Sequence, residues 1–377
     1  MNMKRIYTGI IVLALPALFS ACAREAVPQH EAASPIAFSV QVEAANMTKG
    51  TAGTLDAASL KGGDGFGVFA CYTGIYNYRE HSVSANFMHN QQVIWQASPG
   101  VWTYEPVKYW PNGAGEATEG AAGTDIPHRV SFFAYAPYSE GDTSTPEGYC
   151  IPSTVYPTEE SDPWILYRLH PDVSEQVDLL CAVPQLNLAK PGVQDKIEFQ
   201  FKHALACVGD TFTVRPSDAL QTQLKNTVDA GIIGADEVRL MLTDLSVTYT
   251  LTQKARLILW NQGQPNWQSV LSEDTMTTRT RTLLSGESVT LYSYDGSSEN
   301  ETVWSDSGNN GVLFIPLEVG SNRQKATVSV QYTLLFYSGG TALQEQKETI
   351  EADVILLDAG YEAGKNLSVN IQLSPRG

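Results

Sequence analysis

Among the side chains that could carry chemistry, Cys22 is the best placed. Lys4 and Arg5 open the chain, an apolar run from Ile6 to Leu18 follows, broken by Thr8, Gly9 and Pro16, and Ser20 and Ala21 lead into the thiol. The run is shorter than the ~20 apolar residues needed to span a bilayer, so it reads as a secretory signal. A cut between Ala21 and Cys22 would make that cysteine N-terminal. Other reactive constellations fail on spacing. The histidines (30, 81, 89, 128, 170 and 203) form no HExxH or other close ligand pattern. His203 stands on an apolar strand face and reads as a buried histidine bonded to backbone or water. DSGNNG (306–311) has Asp306, Asn310 and Gly311 but places Leu317 where a calcium loop needs Glu. GGDGFG (62–67) precedes a strand, and Val68 stands where a dinucleotide fingerprint needs its last Gly. Ser307 lies in no G-x-S-x-G elbow. The expectation is a non-catalytic chain with no metal and no cofactor.

Charge narrows the partners. Loss of residues 1–21 removes two bases and no acid, taking the net charge from −17 to −19. Such a surface repels nucleic acid and anionic headgroups. The remaining 356 residues are more than one core usually holds, so two domains are expected. Apart from Cys22, four cysteines remain: Cys71, Cys150, Cys181 and Cys207. They allow three complete pairings, or free thiols, and spacing does not choose.

The elements that carry these residues are mainly strands. After a polar tether (22–34), residues 36–43 alternate, with Ile36, Phe38, Val40 and Val42 facing one way and Ala37, Ser39, Gln41 and Glu43 the other. Residues 44–65 read as a loose connection containing Lys49, and GFGVFACY (65–72) as a strand. WTYEPVKYWP (102–111) suits an edge strand or a strand–loop junction, because its prolines cannot donate to a ladder. VSFFAYAPY (130–138) is apolar on both faces and reads as a central strand. IEFQFKHALAC (197–207) alternates until Gly209 and Asp210 interrupt it before TFTV. The convincing helix covers 217–230, with Ser217 as cap, Leu220, Leu224 and Val228 on one face, and Gly231 as stop. Strands at 325–336, 350–356 and 367–373 follow, each with an apolar face. Few helices between strands imply antiparallel sheets, and pairs of sheets bury the apolar faces. An all-β chain with sandwich domains at 35–215 and 216–377 results.

Two resemblances add to this. FSAC, ending at Cys22, resembles the lipobox of bacterial lipoproteins, with Phe19 in place of the usual aliphatic residue; it implies cleavage before Cys22 and acylation of that residue. From Pro35 to Leu373, the segments PIAFSV, TKG (48–50), VKYWP, FFAYAPY (132–138), DLLCA (178–182), FKHALACV (201–208) and AGKNLSVNIQL (363–373) resemble, in order, the fimbrillin (Mfa-like) family. The resemblance implies two tandem transthyretin-like β-sandwich domains and a stalk, anchor or tip subunit of a surface fimbria. Its partners would be other fimbrial subunits, the outer membrane through the lipid, and a host or bacterial surface ligand. It further implies strand exchange after a cut that here matches Lys49–Gly50, with Lys where polymerising subunits usually have Arg. The strand displaced would be the one carrying Ile36, Phe38, Val40 and Val42.

A rival reading shares the anchor and the sandwiches. Trp95, Trp102, Tyr104, Tyr109 and Trp110 are concentrated enough to form an aromatic platform for glycans. Core packing is the competing use of those rings.

Overall fold

The computed structural model describes residues 34–44, 55–81, 84–111, 127–141, 150–152, 162–170, 172–190, 196–260, 264–270, 276–306, 311–317, 323–358 and 362–375. Ala21, Cys22, Lys49 and Gly50 lie outside them. The described chain is nearly all strand, as expected. No helix among the described residues is long and apolar enough to cross a membrane.

Among the described residues the strands form four sheets. The first, eight-stranded, runs Phe38–Val42, Ile197–His203, Leu180–Ala182, Arg129–Ala136, Phe66–Gly74, Met88–Gln96 and Val101–Thr103, with Gln185–Leu188 also on Arg129–Ala136. In the second, Ala206–Pro216 pairs antiparallel with Trp304–Asp306 and Val312–Phe314, and parallel with Asn366–Leu373. The third orders Glu299–Glu301, Val289–Tyr294, Glu237–Thr252, Lys325–Ser338 and Thr341–Ile355, with Met276–Leu284 also on Glu237–Thr252. The fourth joins Asn266–Gln268, Lys254–Ile258, Trp164–Arg168 and Cys150–Pro152. That last sheet draws strands from both sides of residue 215.

Alternation explains why Arg129–Ala136 is apolar on both faces. Phe132, Ala134 and Ala136 join one core with Phe38, Phe66, Phe199 and Phe201. Phe133 and Tyr135 point the opposite way, into a second core that extends through Tyr167, Leu257 and Val328 to Leu373. The first sheet is therefore covered on both sides, and a polar residue on either face of its central strands would need a partner.

Several local expectations change. The helix forms at Asp218–Asp229, where Ser217 accepts the Leu220 N–H at 3.2 Å and Leu220, Leu224 and Val228 are buried. A second, short helix, Ala57–Gly62, falls in the stretch read as loose; Asp56 caps it by accepting the Ser59 N–H at 2.7 Å. Gly209 does not end its strand. Ala206–Pro216 is continuous through a bulge, with Gly209 at φ +75°. The alternation at 350–356 overstates burial: Ile350 and Val354 are only partly covered and Ala352 is exposed, because Thr341–Ile355 is the sheet's edge. The antiparallel expectation fails at two places, the Phe38–Val42 and Asn366–Leu373 strands, both of which pair parallel. Each lies far in sequence from its partner, and that distance supplies the long crossover a parallel pair requires. Cys71, Cys181 and Cys207 are buried, and Cys71 and Cys207 are free thiols.

Candidate functional site: the N-terminal edge strand

Phe38–Val42 is a five-residue strand at the end of the first sheet. It pairs parallel with Ile197–His203 in the register Phe38↔Ile197 to Val42↔Phe201. The chain just before it is gripped from the other side. Ile36 N–H donates to the Lys108 carbonyl at 2.9 Å, and Trp110 N–H to the Ser34 carbonyl at 3.0 Å. Tyr104 Oη donates to the Ile36 carbonyl at 2.9 Å, and burial pushes this phenol up to about 12, so it stays a neutral donor. The WTYEPVKYWP segment thus clasps the strand's entrance. It is a junction after the short Val101–Thr103 strand.

The inward face is unequal along its length. Ile36 and Phe38 are each 2% exposed, whereas Val40 and Val42 are partly buried against the same core. Phe38 is the anchor. Its ring stacks on Phe199 at 5.6 Å and 19°, and meets Tyr104 at 5.5 Å, Phe66 at 6.1 Å and Phe132 at 6.2 Å. On the outward face Gln41 bonds to the Glu198 carboxylate. Beyond the strand, Glu43 N–H donates to the Phe201 carbonyl at 2.9 Å, and Lys202 Nζ lies 3.7 Å from the Glu43 carboxylate. Removal of this segment would open an aromatic-walled groove with free backbone acceptors and donors along Ile197–His203.

His203 is buried as expected, but its principal partner is a carboxylate. Asp178 Oδ2 sits 2.6 Å from His203 Nδ1. Sequence reading missed Asp178, although an acid opening the apolar DLLCA run already signalled a buried charge in need of a partner. Among the described residues no group of His, Cys, Asp and Glu could hold a metal ion.

The aromatic platform is not available as a platform. Trp102, Tyr104 and Trp110 are buried in the first core, and Trp95 packs on Trp102 at 5.3 Å with Lys61 Nζ 4.5 Å over its ring. Of the five rings, Tyr109 alone is exposed, at 49%.

No protein-family model matches the chain, and no curated protein does either. Solved structures do. A fimbrial protein from Bacteroides vulgatus superposes with a TM-score of 0.55 at 16% identity, covering 90% of this chain and 95% of its own. The chain has the fold of that fimbrial protein. A protein provisionally assigned to cell adhesion from Bacteroides uniformis also aligns, with a TM-score of 0.36 at 14% identity, over 92% of this chain and 95% of its own. At 16% identity the Bacteroides vulgatus match shows a shared fold, an all-β build along nearly the whole length.

Proposed function

We propose that this protein is a non-catalytic structural or adhesive subunit of a bacterial surface fimbria, serving as stalk, anchor or tip. It is exported by its signal, cut between Ala21 and Cys22, and held in the outer membrane by acyl chains on Cys22. Two or more chains anchor stably where one binds marginally, at ~0.8 kcal/mol per buried CH₂. Assembly proceeds by strand exchange. A cut at Lys49–Gly50 frees the segment bearing Ile36, Phe38, Val40 and Val42, and a strand from a neighbouring subunit enters the groove by β-augmentation. Without the cut the groove stays self-filled, and the protein remains a tethered anchor or terminal subunit.

The observation that carries this reading is the position of the strand. It lies at a sheet edge, close to the N-terminal tether, and fills an aromatic groove with Ile36 and Phe38 almost wholly covered. The test is N-terminal sequencing of protein recovered separately from fibres and from membranes of native cells. Gly50 is expected at the start of polymerised copies, and a blocked, acylated Cys22 at the start of tethered ones. Polymerised copies that retain their own 36–43 strand would overturn strand exchange.

A further inference from the structure

The Asp178–His203 pair does more than satisfy a buried charge, because it touches two separated parts of the chain at once. Asp178 is 1% and His203 4% exposed. Asp178 Oδ2, 2.6 Å from His203 Nδ1, also accepts the Leu55 N–H at 3.1 Å, while Oδ1 accepts the Leu179 N–H at 2.8 Å. His203 Nε2 lies 3.2 Å from the Glu43 carbonyl. Glu43 directly follows the Phe38–Val42 strand, and Leu55 leads into the Ala57–Gly62 helix.

Both partners of the imidazole are acceptors. A neutral ring has one N–H and leaves one contact unmade; only the imidazolium makes both. Burial by itself would lower the pKa of His203, but the hydrogen bond and charge of Asp178, then the carbonyl and charge of Glu43, outweigh it and raise the pKa above the usual histidine value. Other charged groups face the ring. Lys202, next to His203 on its own strand, and Glu43, just past Phe38–Val42, line with His203 a cavity of about 190 Å³, together with Glu362 and Lys365, ion-paired at 2.7 Å. That cavity gives water a route to the Nε2 side. Asp64 lines a cavity of about 240 Å³ on the Asp178 side.

We propose that the Asp178–His203 pair is a proton-dependent latch on the N-terminal strand, the imidazolium clasping Glu43 and the carboxylate clasping Leu55. The inference rests on the reading that this strand is released during assembly. Because the folded-state pKa is raised, the clasp is complete below the ordinary histidine range. It is lost as pH rises through the raised value, when one donor disappears. Release is thereby favoured on the alkaline side.

Hydrogen exchange of amides 38–43 and of Leu55 in the mature chain, followed from pH 5 to 9 and corrected for intrinsic rates, tests the latch. Opening should increase with pH in the wild type. In His203→Gln, which keeps one donor but no charge, opening at the acid end should be ten-fold or more faster, as for loss of a charge-assisted hydrogen bond worth about 1.5–3 kcal/mol, and its pH dependence should vanish. Asp178→Asn should expose the Leu55 amide. Wild-type rates and slope in a His203→Gln protein with normal core protection would overturn the latch. If that variant does not fold, a flat wild-type profile overturns it equally. Strand release is scored separately, by trypsin cleavage after Lys49 and size-exclusion chromatography. Retention of the N-terminal fragment in every variant would sink strand removal while exchange rates still judge the latch. Release at equal rates in wild type and His203→Gln at every pH would sink the latch alone.

Discussion

Phe38→Ala is the most informative single change. The ring is 2% exposed and contacts four aromatic neighbours with centroids 5.5–6.2 Å away. Truncation of a buried Phe to Ala costs about 3–5 kcal/mol, the transfer loss plus the cavity left among rings that cannot fully collapse. Against a typical net stability of about 5–15 kcal/mol, that is a large share of the whole. Val40→Ala and Val42→Ala remove two carbons each from partly exposed side chains, and at about 0.8 kcal/mol per fully buried CH₂ each should cost less than about 1.5 kcal/mol. Urea unfolding followed by fluorescence of the neighbouring tryptophans measures all three, with an unchanged m-value needed for the comparison. The Phe38 variant should also release its N-terminal segment sooner after cleavage at Lys49. A Phe38→Ala cost below 1 kcal/mol, or one equal to that of Val40→Ala, would refute the idea that this ring anchors the strand.

Tyr104→Phe deletes the hydroxyl that holds the Ile36 carbonyl at 2.9 Å and should cost about 1 kcal/mol, with faster exchange at the strand entrance. Gly209→Ala should destabilise by several kcal/mol in a urea melt. The new Cβ would lie 2.5 Å from the Phe212 ring at φ +75°, where no L side chain sits easily. Cys71 and Cys207 are pushed by burial up to about 12, so native protein should give no reaction of either thiol with a disulfide reagent at pH 8 and full reaction once unfolded. Since these folded-state values exceed the reference of 9.0, the stability the two thiols contribute is complete below about pH 9 and is lost as pH climbs towards 12; denaturation midpoints from pH 8 to 11 would show it.

Much of the architecture is legible because period-2 patterns survive wherever one face is buried. Ala326, Val328, Val330, Tyr332, Leu334 and Phe336 announce their strand, and Ser217 with Leu220, Leu224 and Val228 announce the helix. The Gly339–Gly340 hairpin is equally plain, both glycines taking positive φ, 56° and 79°. The pattern fails where burial depends on distant partners. Residues 341–349 are mostly polar and, apart from Glu348, exposed, yet form a strand because Lys325–Ser338 offers a full ladder. Strand direction is also invisible to periodicity, so the parallel pairing of Phe38–Val42 could not be read from its side chains. The inward set of the candidate site was legible, but its clasps were not: Tyr104 looked like one ring among five, and Asp178 gains its role only when two remote segments, at Leu55 and His203, converge on it.

Two kinds of sheet edge stand out among the described residues, and the difference bears on the proposed assembly. Thr341–Ile355 is a long edge, but it carries Glu345, Lys347, Glu351 and Asp353 on its exposed surface, and Lys325 and Thr327 of the neighbouring strand bind Asp353. Charges of both signs along a rim oppose pairing with a second chain. Phe38–Val42 and Asn366–Leu373 are edges of another sort. Each runs parallel to its partner, with buried anchors, Phe38 in one and Val369 and Leu373 in the other. What either strand would vacate is apolar and specific in register. In the proposed exchange, a replacement for Phe38–Val42 would reproduce the present contacts by running in the direction of Ile197–His203 and bringing a large apolar side chain to the Phe38 position. If assembly proceeds by the strand exchange proposed above, the Phe38–Val42 rim would take the incoming strand, while the long Thr341–Ile355 edge is guarded by charge.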